Sequence, residues 1–404
     1  MQDKTKRIIT ISVLVAMILS MVVYFIFRKP SVPEDISNIR TGSSGGVLPG
    51  SGDVDISGAE GLGSTGEEVV EIAGEKFGAK LFQLVPNAVA GAAFVENAIT
   101  ASSSVRYVER STGHIYEIDP SSEEKERKRI SNTTILKVFE TSWDPNGKSI
   151  VMRYIEDGEN PSVIRTFSAS FIDGKVEGTF LPQDLDRVVL SPQGDKIFYL
   201  QNGGFIVDLE NKNKKTIFPT PFNNFNIEWT RSNVLTLTSK PSGLFNGLMY
   251  FVNPTTGSFK KILDGVNGLV TKTSLDGKKV LYNESSVRGF VAKIYDVETK
   301  SSQPLGLSIL VDKCVWSSKI TEVVYCGMLS QMPVGTYPDI WYQGKIAFND
   351  SIWVIDTGTG ATLQLVGETD LDIINPFLSA NENYFIFTDK NDNSLWTLDI
   401  SEFF

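Results

Sequence analysis

One histidine, His114, and two cysteines, Cys314 and Cys326, are the imidazole and thiol groups of this chain. A triad that needs imidazole must use His114. It follows Gly113 at the start of an apolar stretch, where a turn or strand-edge role is the default. The two cysteines lie too far apart for a C-x-x-C redox pair, have no histidine near them in sequence and offer no zinc set. A Gly-x-Ser-x-Gly nucleophile elbow does not occur. Asp389-Lys-Asn-Asp-Asn-Ser394 has the carboxylate density of a calcium loop but lacks its glycine and closing glutamate, so it reads as a polar hairpin turn. No residue set calls for a metal or a cofactor. One stretch, Trp143-Asp-Pro-Asn-Gly-Lys148, does set a carboxylate and a lysine around a glycine turn.

That stretch recurs. Leu190-Ser-Pro-Gln-Gly-Asp-Lys196, Thr273-Ser-Leu-Asp-Gly-Lys278 and Leu378-Ser-Ala-Asn-Glu-Asn383 each precede an apolar, aromatic run. Recurrence at equivalent places marks a structural hairpin rather than a site. The elements that would have to position any chemistry are therefore short strands joined by polar turns. They alternate with period two and show no helical period. A third strand of the type Ile-Tyr-x-Ile-Asp can be counted seven times, beginning at His114, Thr166, Gly204, Leu248, Val291, Ile352 and Leu395. The repeat of about 40 residues and four strands is that of a propeller blade. One such sheet cannot bury both faces alone, whereas radial stacking buries them.

The expected fold is all-β, a seven-bladed β-propeller over residues 80–404. The last unit stops after its third strand, at Ser401-Glu-Phe-Phe404. The head opens with Lys80-Leu-Phe-Gln-Leu-Val85, which matches the fourth-strand sequence Thr362-Leu-Gln-Leu-Val366. Leu81–Val85 is expected to complete the last blade and close the ring.

The turns at Trp143–Lys148, Ser191–Lys196 and Ser274–Lys278, with looser copies at Trp229–Asn233, Trp316–Lys319 and Ser379–Asn383, resemble those of TolB-type, WD-repeat-like β-propellers. The resemblance covers roughly residues 80–404 and implies a fold, not an activity. The α/β domain that TolB carries before its propeller has no counterpart here, nor has the hydrolase domain of propeller-gated peptidases.

Between Cys326 and Ile352 the sixth unit departs from the repeat. Where the third unit connects its second and third strands through Gln201–Gly204, this one inserts a Met-, Pro-, Tyr- and Trp-rich segment reaching Asp350. Connections of this type open on the same face as those between blades, so Asp184, Asp186, Asp312, Asp370 and Asp372 belong nearby. Two readings stand side by side. Tyr337, Asp339, Trp341 and Tyr342 contact a partner, or the segment folds back, buries its aromatics and plugs the channel mouth. Cys314 and Cys326 fall on neighbouring strands, where a disulfide is chemically allowed outside the cytoplasm. A one-residue slip in register instead leaves two buried thiols. Glu123–Arg129 mixes both charge signs and reads as a solvated outer strand.

Ahead of the propeller, residues 8–27 carry no charge and would form a helix about 30 Å long, one hydrocarbon thickness. No small-x-small cleavage site follows. A single membrane-spanning helix is expected, with tail 1–7 cytoplasmic, since Lys4, Lys6 and Arg7 outnumber Arg28 and Lys29. Residues 28–79, rich in Gly, Ser and Pro through about Glu67, form a tether of roughly 35 Å reach. Setting aside those five bases and Asp3, the 38 basic and 48 acidic residues fall to 33 and 47, a net charge of −14. That field repels phosphates, so nucleic acid is not an expected partner. The leading function is a membrane-anchored extracytoplasmic scaffold that binds a protein, peptide or envelope component and is not an enzyme. The alternative is a propeller hydrolase or lyase with a carboxylate or metal site in the central channel. It requires several carboxylates to converge on the axis.

Overall fold

The computed structural model describes residues 66–404 except 73–74, 98–101, 123, 158–161, 173–174, 287–288 and 404. The segment expected to cross the membrane, 8–27, and the tether up to residue 65 lie outside the described residues. Among those described, no helix is long and apolar enough to cross a membrane.

Seven antiparallel sheets form the blades of a β-propeller. Six have four strands in sequential order. The seven third strands counted from sequence are all present, from Ile115–Ile118 in blade 1 to Leu395–Asp399 in blade 7. The outer strand Arg127–Arg129 of blade 1 is exposed. Blade 7 has five strands. Its sequential strands Ile373–Leu378, Tyr384–Asp389 and Leu395–Asp399 are followed outward by Glu75–Val85 and then Gly66–Ile72. Leu81 lies opposite Leu398 and Phe82 opposite Thr397. Residues 66–72 and 75–79 are thus strand, although the sequence places them in the tether. The valines and isoleucine of Glu67-Glu-Val-Val-Glu-Ile72 are β-branched and suit pairing once a neighbouring strand is supplied.

The core lies between blades rather than at one centre. Leu81, Leu365, Ile373, Phe385 and Leu398 pack in one such layer, and Phe198, Leu235 and Leu237 in another. Each is an inward-facing residue of an alternating strand.

The recurring turn explains itself in hydrogen bonds. Ser191 Oγ accepts from the Lys196 amide at 3.0 Å, Ser274 Oγ from Lys279 at 2.9 Å, and Ser379 Oγ from Tyr384 at 3.0 Å. In blade 2 Asp144 takes the serine's place, accepting from the Ser149 amide at 2.6 Å. Gly147, Gly194 and Gly277 hold φ values of 63°, 72° and 69°, where a side chain would strain the turn. Asp144 and the serines are hairpin-closing residues at the face opposite the insertion.

Candidate functional site

The first strands of the blades surround the axis. At the insertion face they enclose a cavity of about 460 Å³. Its wall takes Glu140 from the first strand of blade 2, Glu228 from that of blade 4 and Lys272 from that of blade 5. Arg187 and Asp312 come from connections between blades, Lys390 from the blade 7 hairpin, and Trp341 and Tyr342 from the insertion. A second cavity, of about 610 Å³, shares Glu140, Ser142, Arg187 and Asn375 with the first.

The insertion runs from Ser330 to Asn349, between the second and third strands of blade 6, and holds one short helix, Asp339–Tyr342. It folds back onto the propeller. Tyr337 and Trp341 are buried and join Phe348 in a core shared with blades 5 and 6. The Tyr337 ring meets Phe290 edge-on at 5.2 Å. Its backbone oxygen accepts from Ser285 Oγ at 2.7 Å. Asp339 accepts from Ser242 Oγ and the Gly243 amide, both at 2.8 Å, which ties the insertion to blade 4. Only Tyr342 of the four aromatic and acidic candidates is exposed, and its hydroxyl donates to Asp312 in the channel wall. Tyr337, Asp339 and Trp341 therefore brace the segment, and Tyr342 presents a side chain to the cavity.

What holds the insertion down is an ion cluster that local sequence does not announce. Lys313, at the end of the turn Val311–Lys313 between blades 5 and 6, donates to both Asp350 and Asp372. All three side chains are fully buried. Asp372 also accepts from the Trp341 indole at 2.9 Å and the Phe348 amide at 3.2 Å. Lys390 approaches Asp372 at 3.9 Å, and its ammonium lies 5.1 Å from the Trp341 ring centre. Asp350 accepts from the Ile373 amide at 2.7 Å, while its Oδ1 is buried with no hydrogen-bond partner among the described residues. Burial is the main influence and pushes its carboxyl up to about 6; Lys313 opposes that. Asp312 is ringed by protein although water reaches it, and desolvation raises its carboxyl too. Tyr342 is raised well above the usual phenol by desolvation first and by Asp312 next.

Cys314 and Cys326 are register partners on the first two strands of blade 6 and are joined by a disulfide, with Cα atoms 4.1 Å apart. His114 meets Thr134 Oγ1 at 3.0 Å, beside the Tyr116 ring. Asp389 turns the blade 7 hairpin, accepting from the Asp372 and Asn391 amides. Among the described residues no group of three or more His, Cys, Asp or Glu side chains is arranged to hold a metal ion.

Spacing arguments missed the rim. Phe222, Leu244, Phe245 and Val334 are 68%, 71%, 73% and 101% exposed. They stand on the connection into blade 4, the turn between its second and third strands, and the insertion. The adjacent pair Leu244-Phe245 in a polar turn was the available signal. Lys313 offered none, because its partners lie 37 and 59 residues away.

No protein-family model matches this chain, and no curated protein matches it. Solved structures do. TolB from Acinetobacter baumannii is 17% identical, covering 70% of this chain and 66% of its own length, just under two thirds, at a TM-score of 0.41. The β-propeller domain of Cps50 (Swd1) from Myceliophteria thermophila is 11% identical over 84% of this chain and 100% of that one, at 0.50. Hydrazine synthase from Kuenenia stuttgartiensis is 12% identical over 78% and 97%, at 0.52. At such identities the likeness is one of fold, a TolB-like, WD-repeat-like propeller.

Proposed function

We propose that this chain is a scaffold that binds a protein, peptide or cell-envelope partner on the insertion face of the propeller. The same reading has the chain anchored by a membrane helix over 8–27, with the tail cytoplasmic and the propeller outside. It also takes the pairing of Glu75–Val85 with the last blade as the latch of the ring.

The observation that carries it is the apolar rim. Four large apolar side chains stand exposed on three neighbouring loops of this face, and clustered apolar exposure marks interaction sites. The loops brace one another. The Lys240 amide donates to the Asn224 carbonyl at 3.2 Å, and Asp339 grips Ser242 and Gly243. Residues 220–224, 240–245 and 331–336 contain no carboxylate, in a chain of net charge −10. A rigid rim free of acidic side chains around an open cavity suits docking at small entropic cost. Within this reading Tyr342 touches the partner, while Tyr337, Asp339 and Trp341 hold the surface in shape.

The hydrolase or lyase alternative asks for free carboxylates on the axis. Asp350 and Asp372 do converge, but on Lys313 and away from water. Glu140 is engaged by Arg153, and Asp312 by Tyr342. These pairings favour binding over catalysis.

The test is cross-linking in intact cells with wild-type chain and a Leu244→Asp/Phe245→Asp double variant. The wild type should give a discrete cross-linked species that the double variant loses while keeping the wild-type melting temperature. A folded variant that retains the species sinks the proposal. Deleting Met328–Ala347 is a poorer test, because it strips Tyr337 and Trp341 from the core. Alkaline carbonate extraction and protease treatment of the same cells check the anchor and the side of the membrane.

A further inference from the structure

We propose that the channel mouth is a binding site for carboxylate groups, held by Arg187, Lys272 and Lys390. The inference rests on the reading of this face as the binding face and names the chemistry of what enters it.

The three cations come from separate parts of the ring and line one cavity of about 460 Å³. That volume holds a small dicarboxylic acid or the acidic side chains of a short peptide segment. The nearest carboxylate to each cation is off hydrogen-bond contact. Arg187 lies 3.7 Å from Glu140, Lys272 lies 3.5 Å from Glu228, and Lys390 lies 3.9 Å from Asp372. Among the described residues none of the three side chains donates a hydrogen bond to a protein acceptor. A guanidinium offers five N–H donors and each ammonium three. Donor capacity is thus concentrated in the cavity and unused.

The acceptors on the same wall are engaged. Glu140 receives Arg153, Glu228 receives the Thr273 amide at 3.3 Å, and Asp312 receives the Tyr342 hydroxyl. Arg153 in turn is tied to the Leu185 carbonyl at 2.5 Å, which fixes Glu140. Burial raises both Asp312 and Tyr342, which favours the O–H···O pair over added negative charge. Coulombic influence from Arg187 reaches both of those groups, and from Lys272 reaches Asp312, so these side chains share one space.

Charge balance selects the ligand class. Three cations against Glu140, Glu228 and Asp312 make the wall nearly neutral. A phosphate concentrates close to two charges on one group beside those three carboxylates. A dicarboxylate carries the same charge on two separate groups, each with the planar geometry that suits the fork of Arg187.

Calorimetric titration of the full-length chain in detergent micelles tests this, with succinate, N-acetylated tetraglutamate amide, inorganic phosphate and succinamide as probes. Succinate or tetraglutamate should bind saturably with one site per chain. Arg187→Gln combined with Lys272→Gln should weaken that binding roughly tenfold or more, without moving the melting temperature of the free protein. Tighter binding of tetraglutamate assigns the site to an acidic segment of a partner, and tighter binding of succinate to a free acid. The inference is overturned if neither carboxylate binds, if succinamide or phosphate binds as tightly, or if the double variant binds like wild type. The rim variant reports separately. Loss of the carboxylate site with cross-linking intact removes this inference alone, and loss of cross-linking with carboxylate binding intact removes only the scaffold reading.

Discussion

At one end of the channel, Asp144, Ser191, Ser274 and Ser379 each cap a hairpin by accepting an amide five residues along the chain. At the other end, Lys313 binds carboxylates 37 and 59 residues away, and Asp339 grips Ser242 across 97. The first face repeats because each blade solves the same local problem. The second is singular because its ties, a buried ion cluster and a braced insertion, occur once. Contacts between blades at the first face, such as Ser317 Oγ donating to Glu382 at 2.8 Å, instead join neighbouring copies of the same turn. A repeat built from local bonds can lose one copy and remain a propeller. A stitched face concentrates its stability in a few buried side chains, and it is also where the apolar rim and the open cavity lie.

The largest break in that contrast comes from Lys313→Met. It strands two buried carboxylates, and removing one partner of a buried ion pair costs about 3–5 kcal/mol. Denaturant unfolding should show that loss, and limited proteolysis should now cut within 330–349. A variant as stable as wild type, with an intact insertion, would remove the cluster from its assigned role.

Next is the disulfide. It closes a loop of 12 residues inside blade 6, and chain-entropy arguments assign such a link about 2–3 kcal/mol. Cys314→Ala/Cys326→Ala should lower the unfolding free energy by that amount under oxidising conditions. The difference from wild type should vanish in reductant.

Asp350 sharpens the comparison through pH. Its carboxyl is raised to about 6 when folded and returns to about 4 when unfolded, so the folded state binds its proton more tightly. As pH falls from 7 towards 5, this group should add stability, on the order of 2 kcal/mol, and it adds no more once both states are protonated below about 4. Asp312 and Asp389 are raised by burial and tilt the curve the same way. The wild-type curve minus that of Asp350→Asn isolates Asp350. A difference that is flat between pH 5 and 7 would refute the assignment.

The smallest effect belongs to the repeated face. Ser191→Ala removes one hairpin cap, worth about 1 kcal/mol, and should leave carboxylate binding untouched.

Of the candidate site, the sequence marked the segment but not which of its side chains pack inward. Met, Pro, Tyr and Trp between Cys326 and Ile352 announced a departure from the repeat. Burial then turned Tyr337 and Trp341 inward, because blades 5 and 6 offer an apolar shelf that no local pattern reveals. Arg187, Lys272 and Lys390 look in sequence like ordinary solvated charges. Only the ring brings them to one cavity.

By itself, then, the sequence determined the blade: two-residue alternation and a capped glycine turn are local physics, legible seven times over in the third strands. The tertiary structure alone decided which residues of different blades share the axis. Radial closure sets Lys313 between Asp350 and Asp372 and gathers the channel cations, and those contacts depend on three-dimensional packing across long stretches of chain that no short-range pattern encodes.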